Sequence, residues 1–370
     1  MAESAPPLVL VTGASGFVST WLIKELLEKG EYRVRGTVRD KSKEEKVKPL
    51  HELVPNAKYP LELVEADLND KDCWGPAVDG CSYVFQVASH APPDCEREGS
   101  VDEDNLIARE LDGVVNVLTA CAESGSVVKR VVMTSSVAAI SSGMGGNPGR
   151  PDDYEYTEED WSDEESCPPF EKSKLKAERA AWDFVNKLEN KKFEFVVVNP
   201  SFIQGPLLSA ASGAISIALA KLLLERLMPA VPNVCLGIVD VRDVVAGEMA
   251  AMFSSDAAGK RFILNGGTTN FQDFAVTVQE EFQTQGYNVP TSAIPKFILW
   301  GLKFFVPAIK AAYPGINKST SWSNERMKSE LGVTPRPIKQ AIIDTCYSII
   351  ELGLVAKAPG YLGPPELRNN

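Results

Sequence analysis

The chain has 370 residues, is 44% hydrophobic and 24% charged, and carries a formal net charge of −12. This length suits one large domain with a smaller lobe, and the composition is that of a globular protein. The negative charge argues against nucleic acid or an anionic membrane as the main partner. Much of the acidic excess falls within residues 152–165, where a solvated loop is a better interpretation than a metal site.

The seven cysteines have no paired C-x-x-C spacing, which favours reduced thiols in a cytoplasmic protein. The N-terminus passes from a short Ala/Pro lead into the first predicted strand, so we expect no signal peptide. The apolar stretch 294–313 contains Lys296, Lys303 and Lys310 and is interrupted by Pro307. We therefore expect no stable membrane insertion but an amphipathic helix packed on the protein, with contact to a membrane surface as the alternative.

The first apolar run, residues 8–11, is typical of a central parallel strand. A glycine turn follows directly, and a helical pattern then continues to Gly30. Gly13 permits a tight turn, and Gly16 leaves a pyrophosphate open access to the helix N-terminus. Two isolated glycines would suit an ordinary loop, but the strand, turn and helix together favour a dinucleotide site.

The second predicted strand, residues 32–38, is followed by Arg39. An acidic residue at this place is typical of folds that bind NAD, because it holds the ribose 2′-hydroxyl, whereas an arginine suits a 2′-phosphate. Lys46, in the next helical segment, supplies a second candidate cation. We therefore expect NADP rather than NAD, the alternative being that Arg39 is a solvated charge.

Further apolar runs alternate with helical patterns along the first half of the chain. Strands are expected over residues 61–68, 83–88, 127–133 and 193–198, and a long helix over residues 102–123. Asp67 and Leu68 end the third strand, where such a pair can frame adenine, and the small Ala88 ends the fourth. The alternation predicts a doubly wound parallel α/β sheet of the Rossmann type, with ligands at the carboxyl ends of its strands.

The pattern loosens after residue 206, where a smaller and mostly helical C-terminal lobe is expected to close over the substrate. A strand over residues 234–241 is expected to return to the main sheet, followed by a strand at 262–264. The remaining predicted helices cover residues 215–228, 324–331 and 337–352. The predicted division is a dinucleotide-binding domain of 5–204 plus about 234–265, a substrate lobe of about 205–233 and 266–357, and a poorly ordered tail of 358–370.

Seven short motifs occur in one order along the chain. They are T-G-A-S-G-F at 12–17, V-R-D at 38–40, A-D-L at 66–68, T-S-S at 134–136, K-S-K at 172–174 with A-E at 177–178, N-P at 199–200 and V-D-V-R-D at 239–243. Together they resemble the extended short-chain dehydrogenase/reductase superfamily, and within it the group of dihydroflavonol 4-reductases, cinnamoyl-CoA reductases and phenylacetaldehyde reductases. The resemblance runs from residue 8 to about residue 355. It implies hydride transfer between NADP(H) and a carbonyl or secondary alcohol.

Enzymes of this kind use a serine, a tyrosine and a lysine, the last two as Tyr-x-x-x-Lys on one helical face. The lysine holds the nicotinamide ribose and lowers the tyrosine pKa, and the tyrosine protonates the carbonyl oxygen. The resemblance places the serine at Ser136 and the lysine at Lys174. The cofactor residues that it implies are Gly13, Ser15, Gly16 and Phe17 at the pyrophosphate, Arg39 and Lys46 at the 2′-phosphate, Asp67 and Leu68 at adenine, and Ala88, Lys174, Pro200 and Ile203 at the nicotinamide.

Position 170, where the tyrosine belongs, is Phe170. No shift by one residue restores a tyrosine, and Tyr154 and Tyr156 in the acidic stretch are poor substitutes. Three interpretations stay open. The chain is an engineered, inactive form of a reductase; it is a natural variant that takes its proton from Ser136, Lys174 or water, or catalyses a step that needs no such acid; or it is a cofactor-binding protein without redox activity.

The substrate pocket is expected between residues 88–93, 136–140, 202–208 and the smaller lobe. Its apolar lining suggests a hydrophobic aldehyde or ketone, and the chain is expected to be a monomer or a homodimer. His90 is interpreted as structural or solvated rather than catalytic. The resemblance to the wider superfamily allows Asn116 to hold a proton-relay water, but an ordinary helix asparagine is the simpler interpretation.

Overall fold

A computed structural model of the chain describes residues 5–90, 103–123, 125, 127–189, 192–212 and 215–368. Its strands, numbered in chain order, are β1 (Leu8–Val11), β2 (Arg33–Val38), β3 (Glu62–Glu65), β4 (Cys81–Gln86), β5 (Arg130–Thr134), β6 (Glu155–Tyr156), β7 (Glu194–Pro200), β8 (Phe202–Gln204), β9 (Cys235–Asp240), β10 (Arg261–Leu264), β11 (Gly267–Asn270) and β12 (Ser321–Trp322). Its helices are α1 (Phe17–Lys29), α2 (Glu44–His51), α3 (Trp74–Val78), α4 (Glu103–Glu123), α5 (Pro169–Lys187), α6 (Ile215–Leu224), α7 (Val241–Phe253), α8 (Phe271–Phe282), α9 (Lys296–Leu302), α10 (Pro307–Ala312), α11 (Glu325–Ser329) and α12 (Ile338–Glu351).

Seven of these strands form one parallel sheet in the order β10-β7-β5-β4-β1-β2-β3. The chain winds outward from β1 through β2 and β3, then returns and winds the other way through β4, β5, β7 and β10. The strand order therefore reverses between β1 and β4, which is where doubly wound sheets bind their ligands. The predicted α/β fold is confirmed.

Helices cover both faces of this sheet, which explains why β1 is apolar at every position. Leu10 packs in the core that contains α3, α4 and α5, whereas Val11 packs in the core that contains α1 and α7. All four residues of β1 are buried. Helix α1 ends, as its pattern predicts, at Gly30, whose φ of 62° lies in the left-handed region that favours glycine.

The strand predicted over residues 234–241 is present as β9, but it does not return to the main sheet. It forms a separate three-stranded sheet, parallel to β8 and antiparallel to β11. An apolar run predicts a buried strand without identifying its partner, and here β10 occupies the position beside β7. Helix α12 packs on this small sheet and against α6 and α8. The domain boundaries given above stay a prediction.

The prediction of a single amphipathic helix over residues 294–313 is wrong. The segment forms two short helices, α9 and α10, and the second begins at Pro307 because proline fits the first turn of a helix but not its interior. The segment packs on the protein only in part. Leu299 is buried and Ile309 and Tyr313 pack against the core, but Phe297 and Phe305 are largely exposed.

The acidic stretch 152–165 is only partly solvated. Glu158 and Asp160 are buried, and each accepts hydrogen bonds: Glu158 from the Ile263 amide at 3.0 Å and Asp160 from Arg150 at 2.7 Å. These acids hold the loop in place rather than repelling one another in water. Across the described ranges of the chain, no three His, Cys, Asp or Glu side chains are grouped so that they could hold a metal ion.

The last part of the chain was expected to be poorly ordered, but residues 358–368 lie against the C-terminal lobe. The Leu362 amide donates to Gln285 Oε1 at 3.1 Å, and the Tyr361 ring meets the Tyr287 ring edge-on at 6.3 Å. Elsewhere, none of the helices in the described ranges combines the length and the apolar character that a bilayer crossing requires.

Candidate active site

The turn between β1 and α1 is closed by backbone contacts that depend on glycine. Gly13 has a φ of 65°, and its amide donates to Thr37 Oγ1 at 2.9 Å. The Gly16 amide donates to the Gly13 carbonyl at 2.9 Å, and no side chain of the described residues caps the start of α1. The first amides of α1 are therefore available to an anion, as a pyrophosphate site requires. Phe17 begins the helix, and its own side chain is buried.

A cleft opens where this turn meets the end of β2. It is lined by Ser15, Val38, Arg39, Asp40, Lys43 and Lys46. Arg39 and Lys46 are thus brought together as predicted, whereas Lys43 was not anticipated. The sequence before α2 is rich in lysine, which could have indicated Lys43 as a candidate. Only the fold shows which of these lysines lies beside β2.

One acid shares this cleft with the three cations. Hydrogen bonds from the Ser42 hydroxyl at 2.6 Å and the Ser42 amide at 2.9 Å lower the pKa of the Asp40 carboxyl. Asp40 is held by its own turn in this way and does not pair with the cleft cations in the structure. The donor set of one guanidinium and two ammonium groups fits a phosphate on a ribose.

The end of β3 brings Asp67 and Leu68 to the same edge of the sheet. Asp67 Oδ1 accepts from the amide and the side chain of Asn69, both at 2.8 Å. Leu68 is buried against Gly113 of α4, where an added Cβ would lie 3.0 Å from Leu68 Cβ. Asn116 donates to the Leu68 carbonyl at 2.8 Å, a contact that holds this turn against α4.

The end of β4 lies directly beside the glycine turn. A Cβ at Gly13 would lie 3.0 Å from Ala88 Cβ. The predicted pyrophosphate and nicotinamide ends of the site therefore meet at the point where the strand order reverses. Pro200 ends β7 and Ile203 lies in β8, on the carboxyl side of the same sheet.

Phe170 and Lys174 lie one turn apart on α5, as their spacing predicts. The Lys174 ammonium is 5.9 Å from the centroid of the Phe170 ring. Ser136 caps a short turn that packs against α5, and its Oγ accepts from the Ala138 amide at 3.1 Å. A phenyl ring has no proton to donate, so position 170 contributes shape but no acid to this site.

Neither upstream tyrosine takes the place of the missing phenol. Tyr156 is buried, and its hydroxyl accepts from the Asn147 amide at 2.5 Å. The Tyr154 hydroxyl donates to Asp160 at 3.2 Å. Both hydroxyl groups thus stabilise the acidic stretch.

Glu110 of α4 is part of this site, although the sequence analysis did not single it out. Its Oε1 accepts from Lys174 at 2.6 Å and from the Ser89 hydroxyl at 2.7 Å, and its Oε2 accepts from the His90 amide at 2.7 Å. Glu110 is 4% exposed and Lys174 is 8% exposed. A signal was present, because an acid at position 110 falls on the same helical face as the buried Leu106 and Val114.

The charges of this cluster balance each other. Burial raises the pKa of Glu110, but the Lys174 ammonium and the hydrogen bonds from Ser89 and His90 outweigh it, so that the pKa is lowered overall. Burial lowers the pKa of His90, which keeps its imidazole neutral. The structure therefore places a fixed ion pair beside the phenyl ring.

A second buried cluster fixes the helix that carries Phe170 and Lys174. Glu178 accepts from Ser135 at 2.5 Å, from Asn199 at 2.7 Å and from Arg261 at 2.6 Å. The Arg261 guanidinium also lies 3.7 Å from the centroid of the Trp161 ring. Since Ser135, Asn199 and Arg261 follow or lie in β5, β7 and β10, this acid ties α5 to three strands.

The expected walls of the substrate pocket lie at the same end of the sheet. The loop after β8 is held on both sides: Trp21 of α1 donates to the Pro206 carbonyl at 2.7 Å, and the Gly205 amide donates to Thr345 of α12 at 2.7 Å. Residues 136–140 follow β5 directly. Positions 91–93, the remaining part of the expected wall, lie outside the described residues.

Comparisons with known proteins agree with this arrangement. The model of the NAD dependent epimerase/dehydratase family matches residues 9–265. Cinnamoyl-CoA reductase 1 of Petunia hybrida is 32% identical over 359 residues, which is 95% of each chain. Dihydroflavonol 4-reductase of Hordeum vulgare is 38% identical over 209 residues, which is 55% of this chain and 54% of that protein.

Among solved structures, the yeast methylglyoxal/isovaleraldehyde reductase Gre2 complexed with NADPH superposes with a TM-score of 0.74 at 26% identity. The match covers 94% of this chain and all of that one. The resemblance drawn from the motifs is therefore confirmed. This chain belongs to the NAD dependent epimerase/dehydratase family, within the extended short-chain dehydrogenase/reductases.

Proposed function

We propose that this protein binds NADP(H) and reduces a hydrophobic aldehyde or ketone. The observation that carries the proposal is the cleft at the end of β2, where Arg39, Lys43 and Lys46 lie next to Ser15 of the glycine turn. A ribose that carries a 2′-phosphate suits this cleft, whereas a bare hydroxyl would leave the three cations unused. When bound, the cofactor supplies the hydride.

The residues of this chain hold and orient the reactants. The hydroxyl of Ser136 is proposed to hold the carbonyl oxygen, and Lys174 the nicotinamide ribose. Glu110 pairs with Lys174 at 2.6 Å and so fixes the position of the lysine side chain beside Phe170. The proton for the product alcohol comes from a group other than Phe170, and Ser136, Lys174 and water are the candidates.

The substrate class is proposed mainly from the relatives. The segments that follow β5 and β8 are apolar, although Ile140 and Leu207 are buried in the core and Val137 alone of the three is partly exposed. The two relatives compared by sequence are reductases of cinnamoyl-CoA and of a dihydroflavonol, whereas the structural neighbour Gre2 is a methylglyoxal/isovaleraldehyde reductase. Because the first two are 32% and 38% identical to this chain over the matched residues and Gre2 is 26% identical, we propose a bulky, apolar carbonyl compound rather than a small polar one. We place this activity in the cytoplasm, which suits the absence of disulfides among the described cysteines.

Phe170 and the Lys174–Glu110 pair also favour a second candidate function, which is cofactor binding without redox activity. The tyrosine that serves as the acid in the family is replaced by Phe170. The charge of Lys174, which would assist that tyrosine, is balanced by the buried Glu110 carboxylate. A sensor or scaffold needs only the cofactor residues.

The decisive experiment compares the purified chain with Phe170→Tyr. NADPH binding is measured by quenching of tryptophan fluorescence, and turnover by loss of NADPH absorbance over a panel of hydrophobic aldehydes and ketones. We expect equal NADPH binding and a gain in turnover of at least about 10²-fold, since the tyrosine restores a positioned acid. Phe170→Leu is the control, because it changes the ring without adding a hydroxyl group.

The outcomes separate the alternatives. If both proteins bind NADPH and the tyrosine variant gains nothing on any substrate, cofactor binding without redox activity replaces the reductase. If neither protein binds NADPH or NADH, the proposed cofactor is wrong. A converted substrate with unchanged redox state would indicate a non-redox step.

A further inference from the structure

The segment that contains α9 and the connection to α10 exposes an unusual amount of aromatic surface. Phe297 is 75% exposed, Phe304 is 65% exposed and Phe305 is 84% exposed. Trp300 is also more than half exposed, and only Leu299 is buried in the core. We call Phe297, Trp300, Phe304 and Phe305 the aromatic patch. So many exposed aromatic side chains in one short segment are uncommon on a soluble domain and mark a surface that contacts another molecule or a membrane.

The charge around the aromatic patch is opposite to that of the protein. The chain contains 50 acidic residues, yet positions 282–324 contain neither Asp nor Glu. Lys296, Lys303 and Lys310 lie within this range, and none of them forms an ion pair with a described residue. The patch is therefore cationic on a protein of net charge −12.

Lysine side chains of this segment lie next to its aromatic rings. The Lys303 ammonium lies 5.2 Å from the ring centroid of Phe304, 5.9 Å from that of Trp300 and 4.3 Å from that of Tyr313. Rings beside ammonium groups, in a segment that contains no acidic residue, are typical of protein surfaces that lie in the headgroup region of a bilayer. There the rings reach the acyl boundary and the ammonium groups meet lipid phosphates.

We propose that the aromatic patch docks this protein on an anionic lipid surface. The rings enter the headgroup and acyl boundary, and Lys296, Lys303 and Lys310 pair with phosphate or carboxylate groups of the lipids. The remaining surface is repelled by the same lipids, so the protein binds in one orientation. This contact is peripheral, and it is independent of the proposed reductase activity.

A second copy of the chain fits this surface less well. A symmetric dimer would place the patch of one copy against the same patch of the other. The lysines of one segment would then face the equally basic segment of the other copy, with no acid from either segment to pair with them, and like charges at an interface oppose association.

The chain that follows the aromatic patch contacts the loop after the predicted substrate segment. Helix α10 packs against the turn Gly143–Gly145, and Lys318 donates to the Gly145 carbonyl at 2.8 Å. Residues 136–140 lie just before this turn. Docking through the patch therefore brings the end of the site that is proposed to take apolar compounds close to the lipid.

The test is co-flotation of the full chain with phosphatidylcholine vesicles that contain or lack phosphatidylserine. We expect binding that requires phosphatidylserine and weakens with salt. The triple variant Lys296→Gln, Lys303→Gln and Lys310→Gln should bind on the order of a hundredfold more weakly. The double variant Phe297→Ser and Phe305→Ser should lose at least about tenfold. Lys48→Gln, Lys71→Gln and Lys339→Gln together, also exposed, form the matched control and should bind normally.

The measurements include their own check on folding. All substituted side chains except Lys303 are exposed, and an unchanged Tm shows that a variant is folded. A blue shift of tryptophan emission on vesicles, lost in Trp300→Phe, would place the ring in lipid. The proposal is overturned if the wild-type chain ignores phosphatidylserine vesicles, or if the patch variants bind them as well as the control does. A dimer that dissociates on the aromatic substitutions, with no vesicle binding, would identify a second copy as the occupant.

Discussion

Lys174 of α5 and Glu110 of α4 form a buried ion pair, with Nζ 2.6 Å from Oε1. In the arrangement that the family resemblance implies, the lysine charge serves a tyrosine one turn away. Here that position is Phe170, and the Glu110 carboxylate of the neighbouring helix balances the lysine charge. A phenyl ring and a buried ion pair therefore lie side by side in this site.

Glu110→Gln should destabilise the protein by about 3–5 kcal/mol, because it leaves a buried ammonium without its counter-charge. The measurement is the free energy of unfolding in urea. Glu103→Gln is a matched control, since Glu103 also joins α4 to α5, through Lys172 at 2.7 Å, but at the surface. That change should cost less than about 1 kcal/mol. Equal losses in the two variants would contradict the role given to Glu110.

The same pair predicts a loss of stability in acid. The pKa of Glu110 is lowered in the folded protein from its ordinary value of 4.5, despite burial. A lowered carboxyl pKa contributes stability that is present above the unfolded value and lost as the pH falls through the folded value. The Tm should therefore drop more steeply below about pH 4.5 in the wild-type chain than in Glu110→Gln. Parallel Tm profiles would exclude this linkage.

Arg39→Ala should weaken NADPH binding by roughly 10–100-fold and leave NADH binding nearly unchanged, because the guanidinium is proposed to meet only the 2′-phosphate. Lys43→Ala with Lys46→Ala should act in the same direction. Lys48→Ala, on the same helix but outside the cleft, is the control. Titration of tryptophan fluorescence gives both dissociation constants, and an equal effect on NADPH and NADH would refute the assignment.

Glu178→Gln should destabilise the protein by about 3–5 kcal/mol, since it leaves the buried Arg261 guanidinium unbalanced. Glu194→Gln removes a partner of Arg130 that is half exposed and should cost less. Urea unfolding compares the two. A cost for Glu178→Gln no larger than that for Glu194→Gln would show that the cluster does not fix α5.

Glu248 should lower the stability of the wild-type protein at neutral pH, and Glu248→Gln should remove this loss. Burial raises the pKa of Glu248 to about 8, although Thr134 donates to its Oε1 at 2.6 Å. Between its ordinary value of 4.5 and about 8, the folded chain holds a proton that the unfolded chain has released, so stability falls as the pH rises. Glutamine keeps an acceptor for Thr134 and does not titrate.

Tm profiles between about pH 5 and pH 8 test this linkage. The advantage of Glu248→Gln over the wild-type chain should grow with pH. Glu280→Gln, at an exposed position of α8, should show no such trend. A constant difference between Glu248→Gln and the wild-type chain would mean that Glu248 is ionised throughout.

The positions in the fold of residues that are local in sequence could be predicted, while their roles stay predictions. Gly13, Gly16 and Arg39 each lie within a few residues of the strand end that positions them, so spacing and residue type were sufficient to locate them. Glu110 and Glu178 were not recognised as site residues, because their partners lie 64 and 83 residues away, at Lys174 and Arg261. An acidic residue on an apolar helical face indicated that it would need a buried partner, but the sequence did not identify which residue that partner is.

The same distinction between local patterns and long-range contacts explains the errors in the predicted fold. The apolar run of β9 predicts a strand but not the sheet that it joins. The repeat of lysines over residues 294–313 predicts an amphipathic helix, but periodicity contains no information on whether a core lies opposite. The structure shows two short helices there: α9 is anchored by the buried Leu299, and α10 packs against the core through Ile309.

The 3.0 Å approach between Ala88 and the missing Cβ of Gly13 has a consequence for how this crevice can vary. Thr12 Oγ1 fixes the ends of the first and fourth strands, since it accepts from the Val87 and Ala88 amides, both at 2.9 Å. The Ala88 methyl group fills the space beside Gly13, so a valine or threonine at position 88 would clash with the glycine turn and displace it. The glycine turn therefore limits the size of the side chain at position 88, and a larger residue there should disturb the opening for a nucleotide.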